Sequence, residues 1–184
     1  MARNLLSHLS ILLKYDYKDL DMDGGIKYRD NSQTGQQFQF EDGTEDGQAN
    51  LVWHTNPASE LAAGASETWD LLALPQPIFT GQLTIAIAEV RAIVVYNRSE
   101  TRYKYLLVGG AASQEFDAPF GAIGDRVKVP AGSAWAVSNR LDGWTVASGA
   151  SKLKVENPGS SSITYDLAIL GTTSPSTSSS SSGS

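Results

Sequence analysis

Asp19, Asp21 and Asp23 stand at alternate positions in DLDMDGGIKYRD, with Gly24 behind them and Asp30 at the twelfth place. Alternating carboxylates on a sharply turning chain can converge on one hard cation, and this spacing resembles an EF-hand calcium loop. Gly24 would permit the turn, Gly25 would offer its carbonyl, and Ile26 sits where such loops hold an apolar residue. Two features pull the other way. Asp30 is shorter than the Glu that usually closes such a loop, and NSQTGQQ after it shows no helical pattern. The same residues also make an ordinary acidic turn, because Asp-Gly-Gly is turn chemistry. Calcium is the one cofactor the sequence offers, and a solvated acidic loop is the competing reading.

Other reactive constellations are missing. The chain has no cysteine, which excludes disulfides, iron–sulfur clusters and thiolate zinc sites. His8 and His54 lie far apart and would need carboxylates to complete a zinc site. There is no G-x-S-x-G elbow, no H-E-x-x-H and no S-x-x-K with its partners. Ser66 in GASET and Ser151 in GASK have the small neighbours of a nucleophile, but a triad needs a histidine brought to the same loop. Glu60, Glu67, Asp70, Glu115, Asp117 and Asp125 are too many to single out the carboxylate pair of a glycosidase. Gly109-Gly110 in LLVGGAASQEFDAPFG suggests a phosphate loop, yet neither Lys-Ser/Thr nor G-x-G-x-x-G follows it. A non-enzymatic protein is expected.

Charge narrows the partners. The 184 residues carry a formal net charge of -6, with a pI near 4.8, which disfavours binding along a nucleic-acid backbone. The densest basic stretch, RSETRYKY from Arg98 to Tyr105, reads as a strand-to-strand turn with solvated charges. No run approaches the roughly 18 apolar residues of a membrane span. The start, MARNLLSHLSILL, is interrupted by Asn4, Ser7, His8 and Ser10 and reads as mature protein rather than a signal peptide. Among Trp53, Trp69, Trp135 and Trp144, core packing is the default because of the area an indole buries. Trp135 between small residues suits a core-facing position, and Trp144, directly after Asp142-Gly143, is the one best placed for exposure. An exposed Trp144, or Tyr103 and Tyr105, would make a sugar-binding platform.

The elements that must position these residues are strands. QQFQFE alternates, ANLVWH and ETWDLLAL follow, and LTIAIAEVRAIVVYN from Leu83 to Asn97 holds a break near Glu89. ETWDLLAL is expected to stop at Pro75 and Pro77. YKYLLVG, RVKVP, SAWAVS, GWTVAS, SKLKVEN and SITYDLAIL continue the series, separated by Gly, Pro, Asn and Asp turns. Short strands at intervals of about 8–12 residues predict an all-β protein: an antiparallel β-sandwich, jelly-roll or Ig-like. Residues 1–35 form an extended N-terminal arm in which Leu5, Leu6, Leu9, Leu12 and Leu13 fit a short amphipathic helix, while ILLKYDY fits a strand equally well. Residues 36–171 form the sandwich domain. Residues 172–184, TTSPSTSSSSSGS, form a disordered Ser-rich tail without apolar residues to order it.

From Gly47 to Gly171, the order GQANLVWH, ASETWDL, VGGAASQEFDAPFG, VKVPAGSAW and LDGWTVASGASKLKVENPGSSSITYDLAILG resembles small β-sandwich virion structural proteins of tailed bacteriophages and prophages. The chain departs from that pattern at VPAGS, where such proteins more often carry a Pro-Gly-Gly turn, and its first 46 residues match less well. The resemblance implies a virion protein made in the bacterial host cytoplasm. Its expected role is capsid decoration or cement, bound to the major capsid protein or other virion proteins as a homo-oligomer, with a trimer favoured by analogy. The alternative is a tail- or fibre-associated module that recognises host carbohydrate or protein. No nucleic acid and no membrane are expected as partners. Contacts are expected from Leu5, Leu6, Leu9 and Leu12 of the arm, and from Phe116, Phe120 and Trp144 of the body. The glycine pair is expected to end a buried strand, with AASQEFDAPFG as a surface excursion.

Overall fold

The computed structural model describes the backbone of residues 7–20, 26–55, 58–78 and 81–175, and the side chains of 39–55, 58–77 and 81–175. Eight strands carry the architecture. β3 (Leu51–His54) pairs with β14 (Ile163–Thr172), and β5 (Ser66–Asp70) with β13 (Lys152–Glu156). β8 (Glu89–Asn97) pairs with β11 (Ala134–Ser138), and β9 (Tyr105–Gly109) with β10 (Arg126–Pro130). All four pairs are antiparallel, and they nest: first with last, second with seventh, third with sixth, fourth with fifth. Folding that nested ribbon over itself gives two facing sheets, β10-β9-β13-β5 and β11-β8-β14-β3. This is the connectivity of a jelly roll. It decides between the two sandwich topologies the sequence left open.

Short strands complete the frame. β4 (Ser59–Leu61) pairs with β14, and β12 (Trp144–Thr145) pairs with β8. β6 (Leu74–Ile78) and β7 (Gly81–Ile85) form a separate hairpin. Pro75 and Pro77 were expected to end a strand, and instead they sit inside β6. A two-stranded ribbon needs a ladder donor only from alternate residues of each strand, so prolines two apart can both sit on its unpaired side. The break expected near Glu89 is real, since β8 begins there.

Period-two alternation builds the core. Along β14, Ile163, Tyr165, Leu167 and Ile169 are buried while the residues between them are half-buried. They meet Leu106, Val108, Val129, Leu153 and Val155 from the opposite sheet in one cluster that also takes in Trp53 and Phe116. Each such aliphatic side chain contributes roughly 1.5–3 kcal/mol by leaving water.

The two ends of the chain refine the expected boundaries. Of the two readings of the leucine-rich start, the strand forms: β1 (Ser7–Leu20) pairs antiparallel with β2 (Ile26–Phe40) in a long hairpin. β2 runs straight through the expected boundary after residue 35. At its end Phe40 is fully buried, and Arg140 Nε donates to the carbonyl of Gln39 at 3.3 Å, so the base of the hairpin is tied to the body. At the other end β14 continues to Thr172, and Asn50 exchanges two hydrogen bonds with Thr173 at 2.9 and 3.0 Å. The body therefore extends past Gly171, the last residue expected in it. Ser176 to Ser184 lie outside the described residues.

Candidate functional site

A concave surface lies at one end of the sandwich, where the β8–β9 turn faces the end of β10. Its foundation is a buried amide. Asn97, the last residue of β8, donates from Nδ2 to the carbonyl of Val129 at 3.1 Å, and its Oδ1 accepts the amide of Ser99 at 3.0 Å. Its backbone closes the same corner, with Gly132 N donating to Asn97 O and Asn97 N to Ser133 O. Ala131 N donates to Lys104 O at 2.9 Å, tying the far side of the turn to the end of β10. The sequence RSETRYKY is thus a turn, as its composition suggests, and its backbone is pinned at both ends.

This frame presents Tyr103 to water. The residue is 92% exposed and adopts φ +68°, the left-handed region that bulky side chains seldom enter. Beside it the Lys128 ammonium lies 4.1 Å from the centre of the Tyr105 ring, a cation–π contact that orients both groups. Arg102, Lys104 and Glu100 line the same cleft of about 650 Å³, with Pro130 and Ala131 as its apolar part. The lining holds three cations against one carboxylate, on a chain whose net charge is -6. Lys104 Nζ also donates to the Ser162 carbonyl at 3.0 Å.

Lys128 is the member that sequence reading missed. RVKVP signals a strand with Lys128 on its outer face, but only the β9–β10 register, Pro130 opposite Tyr105, brings that lysine to the tyrosine. Neighbouring cations are already matched: Arg98 with Asp166 at 2.5 Å, Lys152 with Asp70 at 2.5 Å, and Arg126 and Lys154 with Glu156 at 3.3 and 2.8 Å.

Phe116 is 1% exposed and belongs to the core, so it offers no contact surface. Phe120 stacks on Trp135, with centroids 5.2 Å apart and planes at 21°. Trp144, expected to be the exposed indole, is half-buried and packed on the core, because β12 pairs with β8 and draws it in. Trp53 and Trp69 lie 4.8 Å apart beside a small hollow of about 160 Å³ shared with His54 and Pro75. Both indole N–H groups are used internally, by Pro75 O and Tyr165 Oη. The aromatic platform therefore falls to the tyrosines.

In the arm, Leu9 and Leu12 pair in register with Phe38 and Gly35. Asp19 and Asp30 sit near the closed end of the hairpin, opposite Tyr28 and Tyr17. Paired strands flank this loop, where an EF-hand has helices. Leu5, Leu6, Asp21, Asp23 and Gly25 lie outside the described residues. Among the described residues no three His, Asp or Glu side chains gather as a metal site.

Three of the carboxylates considered for catalysis, Glu67, Asp70 and Glu115, have structural partners. Glu115, 7% exposed, accepts the amides of Gly110 and Gly124 at 2.5 and 2.8 Å. Glu67 accepts the phenol of Tyr165. Asp70 accepts the Leu72 amide as well as the Lys152 ammonium. Burial works to raise the Asp70 pKa, and Lys152 with the Leu72 amide outweighs it to leave the carboxyl below its ordinary value. Gly109 and Gly110 gain a reason here, because Glu115 anchors the excursion that follows them. Gly109 ends β9 at φ +103°, where a Cβ would fall 2.5 Å from the Asp125 carbonyl oxygen.

No family model matches the chain, and no curated protein matches it.

Proposed function

We propose that this protein is a non-enzymatic structural component of a phage particle, a capsid decoration or cement protein. The observation that carries the reading is a jelly roll whose interior is filled by side chains, preceded by a long hairpin that joins neither of its sheets. A filled sandwich supplies a rigid block without a reaction chamber, and jelly rolls recur in viral shells and lectins. The hairpin supplies reach. Laid across neighbouring capsid subunits it would hold the block in place, and repetition over the lattice would multiply weak contacts by raising effective concentration. The sequence resemblance to phage virion proteins supports the same role, and a trimer would match the local symmetry of a shell.

The test is binding to purified capsids. The intact chain should cosediment with the shells, and the chain lacking residues 1–38 should not, while retaining its cooperative unfolding. Equal binding by both proteins would remove the arm from the mechanism, and no binding by either would remove the decoration role.

The second reading, recognition of a host molecule from a tail or fibre, is favoured by the exposed Tyr103 and the cationic cleft beneath it. Particle images that place the protein at a fibre tip rather than on the shell would select it.

A further inference from the structure

The geometry points to the cleft between the β8–β9 turn and β10 as a binding site for an acidic oligosaccharide, with Tyr103 receiving a sugar ring and Arg102 and Lys128, the latter seated over Tyr105, receiving carboxylates. The inference builds on the recognition reading and is independent of the decoration reading.

Three observations lead there. First, Tyr103 combines two unfavourable conditions, a left-handed backbone and an almost wholly exposed ring. Left-handed backbone at a bulky residue is strained, and such strain clusters at functional sites. The rest of the turn does not require a tyrosine there, since glycine or asparagine would take this backbone more readily. Second, the frame below is pre-formed. Asn97 and the Lys104–Ala131 hydrogen bond fix the turn, and the Lys128 contact fixes the Tyr105 ring, so little ordering remains to oppose a ligand. Third, the charge is selective. The cations along the adjacent sheet face are ion-paired with Asp70 and Glu156, and Arg98 with Asp166, whereas among the described residues Arg102 and Lys128 form no ion pair.

The ligand class follows from those elements together. An aromatic face in water accepts the apolar face of a pyranose ring, and the nearby guanidinium and ammonium accept a carboxylate on the same sugar. A volume of about 650 Å³ lies within the usual range for small-ligand sites. A nucleic-acid strand shares the ring-plus-anion chemistry, but its continuous phosphates would meet a chain of net charge -6 with only a small basic patch.

The test is calorimetric titration of the intact chain with trigalacturonic acid, maltotriose, inorganic phosphate and oligo-dT, in low and physiological salt. Trigalacturonic acid should bind, weaken as salt rises, and lose at least about tenfold in affinity in both Tyr103→Gly and Lys128→Gln. Tyr103→Gly suits the left-handed turn and so removes the ring without disturbing the frame. Equal, Tyr103-dependent binding of maltotriose would keep carbohydrate recognition and overturn the acidic class. Phosphate binding as tightly as the acidic sugar would show an anion site in which the rings play no part. Tighter binding of oligo-dT would reassign the cleft to nucleic acid. No binding of any sugar, with the protein folded, would overturn the site altogether.

Discussion

The phenol of Tyr165 on β14 donates a 2.7 Å hydrogen bond to Glu67 on β5. These strands belong to opposite sheets, so this bond and the 3.0 Å donation from Trp69 Nε1 to the same oxygen form a polar bridge through the sandwich. Apolar packing presses the sheets together without direction. The bridge adds direction, since it forms only when one alignment of the two layers is reached.

Tyr165→Phe should therefore cost more than the loss of one hydroxyl suggests. Both Glu67 and Trp69 would be left short of a partner inside the protein. A loss of about 1–3 kcal/mol is expected in chemical denaturation. Stability unchanged within error would mean that water replaces the phenol without penalty.

The same residue predicts an alkaline limit. Burial first, and then the Glu67 hydrogen bond, hold the Tyr165 pKa above the ordinary tyrosine value of 10.0. Its folded pKa exceeds its unfolded one, so the contribution is fully present below pH 10 and declines above it. There the unfolded chain releases a proton that the folded chain retains. The decline should approach about 1.4 kcal/mol per pH unit. Denaturation curves between pH 8 and 11 should show a gentler slope for Tyr165→Phe than for the parent chain, and identical slopes would contradict this.

Glu156 predicts the acid side. Its hydrogen bond with Lys154 outweighs partial burial, and with attraction from Lys154 and Arg126 it keeps the carboxyl below its ordinary value. A depressed folded pKa contributes stability above the unfolded value of about 4.5, and that contribution disappears as pH falls through the folded one. Glu156→Gln should lose no more than about 1 kcal/mol at pH 6, because the pairs are partly solvated. Its stability should converge with that of the parent below pH 3. A constant difference across that range would assign the effect to packing instead.

Glu115→Gln tests the anchor of the glycine-rich excursion. Both carboxylate oxygens accept backbone amides, and an amide side chain would turn an N–H toward one of them. Loss of about 1.5–3 kcal/mol is expected. Hydrogen exchange should quicken at Gly110 and Gly124 in particular, and unchanged exchange there would dissociate Glu115 from the loop.

Gly109→Ala should be at least as damaging. The new Cβ would combine a left-handed strain with a 2.5 Å approach to the Asp125 carbonyl, and backbone cannot yield as a flexible side chain does. A loss above about 2 kcal/mol is expected. An unaltered melting temperature would show that the strand end adjusts freely.

Much of the architecture was legible because it is local. Alternation in SITYDLAIL assigns Ile163, Tyr165, Leu167 and Ile169 to one face, and a pleated chain must place them there. Turn residues likewise mark where β9 ends at Gly109 and where β12 follows Gly143. The lack of cysteine excludes thiolate metal chemistry whatever the fold. Partnership between distant segments is a different kind of information. Alternation says which way Lys128 points but not that Tyr105 will lie beneath it, and the turn before Trp144 says nothing of the strand that draws the indole inward. Leu12 fitted a helix and a strand alike until β2 offered its backbone a partner, and Pro75 read as a strand end until an unpaired edge accommodated it. Nested pairing, the cationic cleft and the Tyr165–Glu67 bridge all depend on register between residues dozens of positions apart. That register follows from packing the whole chain at once, so only the tertiary structure decided it.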